Sequence, residues 1–164
     1  MRFIIPLVVL SVCVFLLFDC DHGLAPTDSE TKTGIAGTIT YQDNWPPADS
    51  LKNLRLVVFK NFPPQDIIVE ILTGEAFVYP PIDTTSLAFN VSSQDYTLDL
   101  PIGTYEYVAV AQQYGDNLFT DWRAVGQYDT DSDSLPTSIL LEKNLFLENI
   151  DIHVDFEKLP IQPF

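Results

Sequence analysis

Basic residues are scarce in this chain. Lys and Arg total 8 against 23 Asp and Glu, a formal net charge of −15 over 164 residues. Phosphate binding needs clustered Lys and Arg, so the balance argues against a nucleic-acid partner. It argues equally against electrostatic docking on anionic lipid. Two cysteines cannot make a disulfide-rich scaffold, and two histidines leave few options for metal or acid–base chemistry. No G-x-S-x-G elbow, H-E-x-x-H pair or glycine-rich phosphate loop is present. What is abundant is apolar: 46% hydrophobic against 19% charged residues, the balance of a packed domain rather than a disordered chain.

Charge is also missing from one continuous stretch, Phe3 to Phe18. A spanning helix needs about 20 apolar residues, so this run suits the apolar part of a signal peptide, with Arg2 as a minimal positive flank. The run ends at Asp19-Cys20-Asp21. A cysteine at that boundary, with Leu17 three positions before it, resembles the bacterial lipoprotein signal. Asp19 stands where a small residue is usual. The resemblance implies a signal peptide over 1–19 and lipidation of Cys20, with a stable acyl anchor and no spanning helix. Cys13 reads as a small hydrophobe within the run, with lipidation there as the lesser alternative. Residues 20–33 are polar and rich in Gly, Pro, Ser and Thr, a flexible tether.

From Gly34 the pattern is β. Ile35, Ile39 and Tyr41 share one face at period two, and Leu54–Lys60 reads as a buried strand. Asp95–Leu100, the turn Pro101–Gly103 and Thr104–Gln113 together read as a hairpin. Phe77–Tyr79, Trp122–Tyr128 and Thr137–Leu141 are further short strands. In Glu148–Phe156, Ile150, Ile152, Val154 and Phe156 alternate with polar residues, giving one core face and one wet face. Pro63–Gly74 reads as a short helix. Ile67, Ile68, Ile71 and Leu72 share a face, Asp66 suits its start and Gly74 its end. The β-branched isoleucines leave a strand as the competing reading there. About seven short strands with Pro and Gly punctuation imply an all-β, Ig-like or transthyretin-like sandwich over 34–157, followed by a tail over 158–164.

Two motifs carry a family resemblance. Gly34–Thr40, GIAGTIT, resembles the opening strand of carboxypeptidase-regulatory-like, transthyretin-like sandwiches, and Pro101–Tyr105 resembles their P-x-G-x-Y turn. The likeness covers 34–60 and 95–156, and the insert at 61–94 departs from it. It implies that Gly103 turns the chain, that Tyr105 re-enters the core, and that the role is accessory or adhesive rather than catalytic. Together with the N-terminus, the chain resembles a small bacterial lipoprotein.

Two groups of residues are candidate sites. Asp129, Asp131 and Asp133 alternate in DTDSD, a spacing that can supply calcium oxygens. The full calcium-loop pattern fails, since the sixth position is Ser134 and the twelfth Leu140. Asp116 and Asp121 are expected nearby. A solvated acidic turn explains the same residues. Trp45, Tyr114, Trp122 and Tyr128, with Phe119, are loop aromatics able to stack on sugar faces, or else plugs at the ends of the core. His153, between two aspartates on a wet face, reads as solvated, and the Asn90-Val91-Ser92 triplet carries no role in a bacterial chain.

The expectation is therefore a non-catalytic module of the bacterial envelope, extracytoplasmic and joined to the outer membrane by lipid on Cys20. It needs no cofactor, and its partner is an envelope protein or a glycan. A carbohydrate-binding module and a secreted, calcium-stabilised adhesion module stay open as alternatives.

Overall fold

The computed structural model describes residues 32–131 and 133–163. The signal peptide, Cys20 and nearly all of the tether lie outside the described residues. Ten strands and one α-helix follow in order: β1 (Gly34–Tyr41), β2 (Asn53–Phe59), α1 (Ile67–Thr73), β3 (Ala76–Tyr79), β4 (Ser93–Asp99), β5 (Gly103–Tyr105), β6 (Tyr107–Gln113), β7 (Trp122–Gln127), β8 (Ile139–Leu141), β9 (Phe146–Leu147) and β10 (Ile152–Val154). The fold is all-β.

Seven strands form one sheet in the order β3-β2-β6-β7-β10-β1-β4, with β9 beside β1, and β5 and β8 make a small second sheet. The main sheet curls so that its two halves face each other. Leu54, Leu56, Val58, Val108 and Val110 from one half enclose a core with Ile35, Ile39, Tyr96, Ile152 and Val154 from the other. Residues at alternate positions on the first half point the other way. Val57, Phe59, Tyr107, Ala109, Ala111 and Ala124 form a second apolar layer under α1, where Ile67 is buried against them. Strands β2 and β6 are thus covered on both faces, which is why their sequences run apolar without alternation. The three alanines keep that outer face low enough for a helix to lie on it.

The helix forms where its caps place it. Asp66 Oδ1 accepts the Val69 N–H at 3.0 Å. Gly74 takes a left-handed φ of 76°, which closes the last turn without a Cβ penalty. Its apolar stripe is only half covered, since Ile67 is buried while Leu72 stays 80% exposed. The last strand keeps its alternation: Ile150, Ile152, Val154 and Phe156 are buried, and Asp151 and His153 face water.

The hairpin expected across Pro101–Gly103 does not form. Strand β4 pairs with β1 on one half of the sheet, while β6 lies between β2 and β7 on the other. The turn carries the chain across the core instead. The strand beyond it is also broken at Glu106. Tyr105 and Tyr107 are both fully buried, but in different apolar layers. Period two would put both on one face, so the chain must rotate between them, which ends β5 and starts β6. Tyr105 re-enters the core as the resemblance implied, and its hydroxyl donates to the Pro101 carbonyl at 2.8 Å.

Candidate functional site

The most exposed apolar surface lies between α1 and the loop joining β6 to β7. Leu72 on the helix and Phe119 on the loop are 80% and 70% exposed. Between them runs a groove of about 320 Å³, floored by Val57 and Trp122 and walled by Ile68, Ile71 and Ile82. Its volume falls at the lower end of ordinary small-ligand pockets.

The loop holds its aromatic residue by hydrogen bonds. Asp121 Oδ2 accepts the Asn117 N–H at 2.8 Å, and Asn117 Oδ1 accepts the Phe119 N–H at 3.0 Å. The Trp122 indole donates to the Leu118 carbonyl at 2.7 Å. The Asp121 side chain occupies the space a Cβ at Gly115 would need, so a larger residue there would displace that carboxylate from its bonds. Leu118 and Phe119 are thus presented on a rim tied by its own hydrogen bonds, which lowers the ordering cost of any contact.

The aromatics singled out from sequence do not form one platform. Trp45 packs between Tyr41 and Phe156 in tilted contacts, with ring centroids 4.8 Å and 5.0 Å away, and seals one end of the inner core. Tyr128 packs partly buried on the same core. Tyr114 and Trp122 come together elsewhere, on a shallow pocket of about 300 Å³ with Arg123, Leu159 and Gln162. The Arg123 guanidinium stands 5.8 Å from the Tyr114 ring centroid. Sequence reasoning missed Leu72, Ile82 and the helix as a site wall. The apolar stripe of α1 was visible, but nothing in it says which part stays uncovered.

Asp129, Asp131 and Asp133 do converge, with one carboxylate oxygen of each within 4.8 Å of the others. A local reason suffices for this. Each Oδ1 accepts the N–H two residues ahead, at 3.1, 3.0 and 2.8 Å, giving three successive Asx turns. Asp116 and Asp121 are not brought to them, which corrects the expectation. Asp121 precedes β7 and Asp129 follows it, so about 26 Å of extended chain separates the two at ~3.3 Å per residue. Asp116 pairs with Lys52 at 3.0 Å.

An open polar cleft of about 720 Å³ borders the triad, lined by Gln42, Gln127, Asp151, His153 and Asp155 among others. His153 is exposed there, its Nε2 3.2 Å from Gln42 Nε2. Asn44 donates to Asp155 at 2.7 Å, and with the N–H groups of Glu157 and Lys158 this holds its carboxyl below the ordinary range. The other shifted acids are tyrosines. Burial pushes the Tyr41, Tyr96 and Tyr107 hydroxyls well above the usual phenol range, which makes them neutral structural groups.

Comparison with family models, with curated proteins and with solved structures returns no match to this chain. The transthyretin-like and lipoprotein resemblances therefore rest on the quoted motifs alone.

Proposed function

We propose that the chain is a non-catalytic binding module of the bacterial envelope, held to the membrane by lipid on Cys20, that takes a hydrocarbon chain into the groove beside α1. The exposed pair Leu72 and Phe119, facing each other across a wall of aliphatic side chains, is the observation that carries the reading. Isolated exposed apolar residues are ordinary, but a grouped set around a concave surface is a cost in water unless something covers it. Each CH₂ buried there contributes about 0.8 kcal/mol, so an acyl chain gains where a sugar, which needs polar partners, does not.

Trp122 reports the site, because it forms part of the groove floor and the chain has only one other tryptophan, Trp45. In a Trp45→Phe background, titration with a medium-chain fatty acid is expected to give a saturable emission shift. Leu72→Asp should weaken it at least about tenfold, an effect of roughly 1.4 kcal/mol, with little change in stability because the side chain is exposed. If no acyl ligand perturbs Trp122, the groove reading fails.

A sugar-binding reading keeps one place in the molecule, the Tyr114–Trp122 pocket. There a guanidinium and the Gln162 amide lie beside two rings. Neutral oligosaccharides shifting Trp122 while fatty acids do not would favour it. The anchor has its own test. Protein purified from the membrane fraction of its host is expected to have the mass of residues 20–164 plus acyl chains. An unmodified mass in the soluble fraction would remove the anchor and the envelope address together.

A further inference from the structure

Among the described residues the main sheet has two open edges, and only one is closed by proline. Strand β3 is four residues long and runs into Pro80–Pro81. Prolines at an edge block further pairing. Strand β4, at the other edge, has seven residues and neither proline nor lysine. Its ladder with β1 continues from Tyr41 N–H on the Ser92 carbonyl to Leu100 N–H on the Thr33 carbonyl, both at 2.9 Å. Bonded residues alternate along an antiparallel pair. Gln94, Tyr96 and Leu98 therefore spend their main-chain groups on β1. Those of Ser93, Asp95, Thr97 and Asp99 point away, with no main-chain partner among the described residues.

We propose that this edge docks a second copy of the chain, β4 against β4, antiparallel about a two-fold axis at Tyr96. The strand can match itself along its whole length, and its charges select the register of that self-pair. Centring the pair on Asp95 sets that carboxylate against itself, and centring it on Thr97 sets Asp95 against Asp99. The Tyr96 register pairs Ser93 with Asp99 and Asp95 with Thr97, so each carboxylate lies directly opposite a hydroxyl and meets other carboxylates only on the diagonals. It is also the longest register, and it matches all four outward residues with outward residues, each such pair exchanging both of its bonds. The carboxylates are already partly answered within their own copy. Thr38 Oγ1 donates to Asp95 at 2.8 Å, and Lys32 lies 3.6 Å from Asp99. A closed isologous contact of this kind ends at the dimer.

Two copies each carrying −15 repel at long range, so salt should strengthen this contact rather than weaken it. The test is sedimentation of the full chain in mild detergent, at low and high salt, beside Thr97→Pro. The Thr97 N–H faces outward, so proline there removes an edge donor and leaves the β1 ladder intact. The wild-type particle is expected to hold twice the protein mass at high salt and to halve on dilution. The variant should stay at one copy. A wild-type chain that remains single at high salt, or a dimer that survives Thr97→Pro, overturns the proposal. Hydrogen exchange on the wild type decides the matter without the variant. Protection of the Ser93, Asp95, Thr97 and Asp99 amides must rise with concentration, and unchanged protection overturns it too.

Discussion

Arg55→Met is expected to lower the unfolding free energy by about 3–5 kcal/mol, among the largest single losses available in this domain. Arg55 sits in β2, and only 4% of it is exposed. Its guanidinium meets no carboxylate within ion-pair distance among the described residues. It gathers main-chain carbonyls instead. Nη1 donates to Pro80 and Pro81 at 2.9 Å and to Thr85 at 3.2 Å, and Nη2 donates to Thr84 at 2.9 Å. One side chain thus fixes the whole crossing from β3 toward Ser86. Burial draws its pKa below the ordinary guanidinium value, and the charge of Asp83 offsets part of this.

Two effects oppose each other in the substitution. Methionine relieves the desolvation of a cation, which favours the variant. It also strips the Pro80 and Thr84 carbonyls of their donor, while the Pro81 carbonyl keeps the Thr84 N–H and hydroxyl, at about 1–3 kcal/mol for each that cannot reach water. The second effect is larger, because a swap of a buried polar group is neutral only when both partners are replaced, and the carbonyls remain. Thr84 and Thr85 are exposed and can recover water, which keeps the total below the full sum. Arg55→Lys should recover about half, since one nitrogen cannot cover a planar fan of acceptors. Urea unfolding followed by tryptophan emission measures both variants. A Met variant within about 1 kcal/mol of wild type would mean the desolvation cost had cancelled the bonds.

Strand β1 could be read from sequence to the residue, because Ile35, Ile39 and Tyr41 all face one core. Helix α1 was legible from Asp66 and Gly74 rather than from its isoleucines, which favour either structure. The error at Pro101–Gly103 has a physical origin. A turn that reverses a hairpin and one that arches across a core use the same local residues, and only the pairing partner in space separates them. The site was less legible for a related reason. Trp45 and Trp122 look alike in a sequence, yet one packs between two rings at the end of the core and the other floors a groove. Ile71 and Leu72 belong to one apolar stripe, and the width of the face beneath the helix decides that the first packs and the second does not.

Gly37→Ala should destabilise by about 3–5 kcal/mol, against the usual sign of such a change. In an ordinary strand interior, alanine would be better than glycine by about 0.5–1 kcal/mol. Gly37 lies on the inward face of β1, in phase with Ile35 and Ile39, and the main chain of Ile150 occupies the place where its side chain would be. A Cβ there would overlap the Ile150 carbonyl, and a main chain cannot rotate away as a side-chain tip can. Ile150 is bonded through both of its main-chain groups. Its N–H donates to the Ala36 carbonyl at 3.0 Å, and its carbonyl accepts the buried Tyr96 hydroxyl at 2.6 Å. Moving it adds the loss of a buried hydrogen bond, about 1–3 kcal/mol, to an overpacking cost of similar size. Tyr96→Phe isolates the first contribution, since it leaves the backbone in place and strips the carbonyl of its donor. Because both single changes break the same bond, the double variant should lose less than the sum of the two. Additive losses would mean that Gly37→Ala acts through the overlap alone. An alanine variant as stable as wild type would mean that the Ile150 peptide can leave the face of β1 without cost.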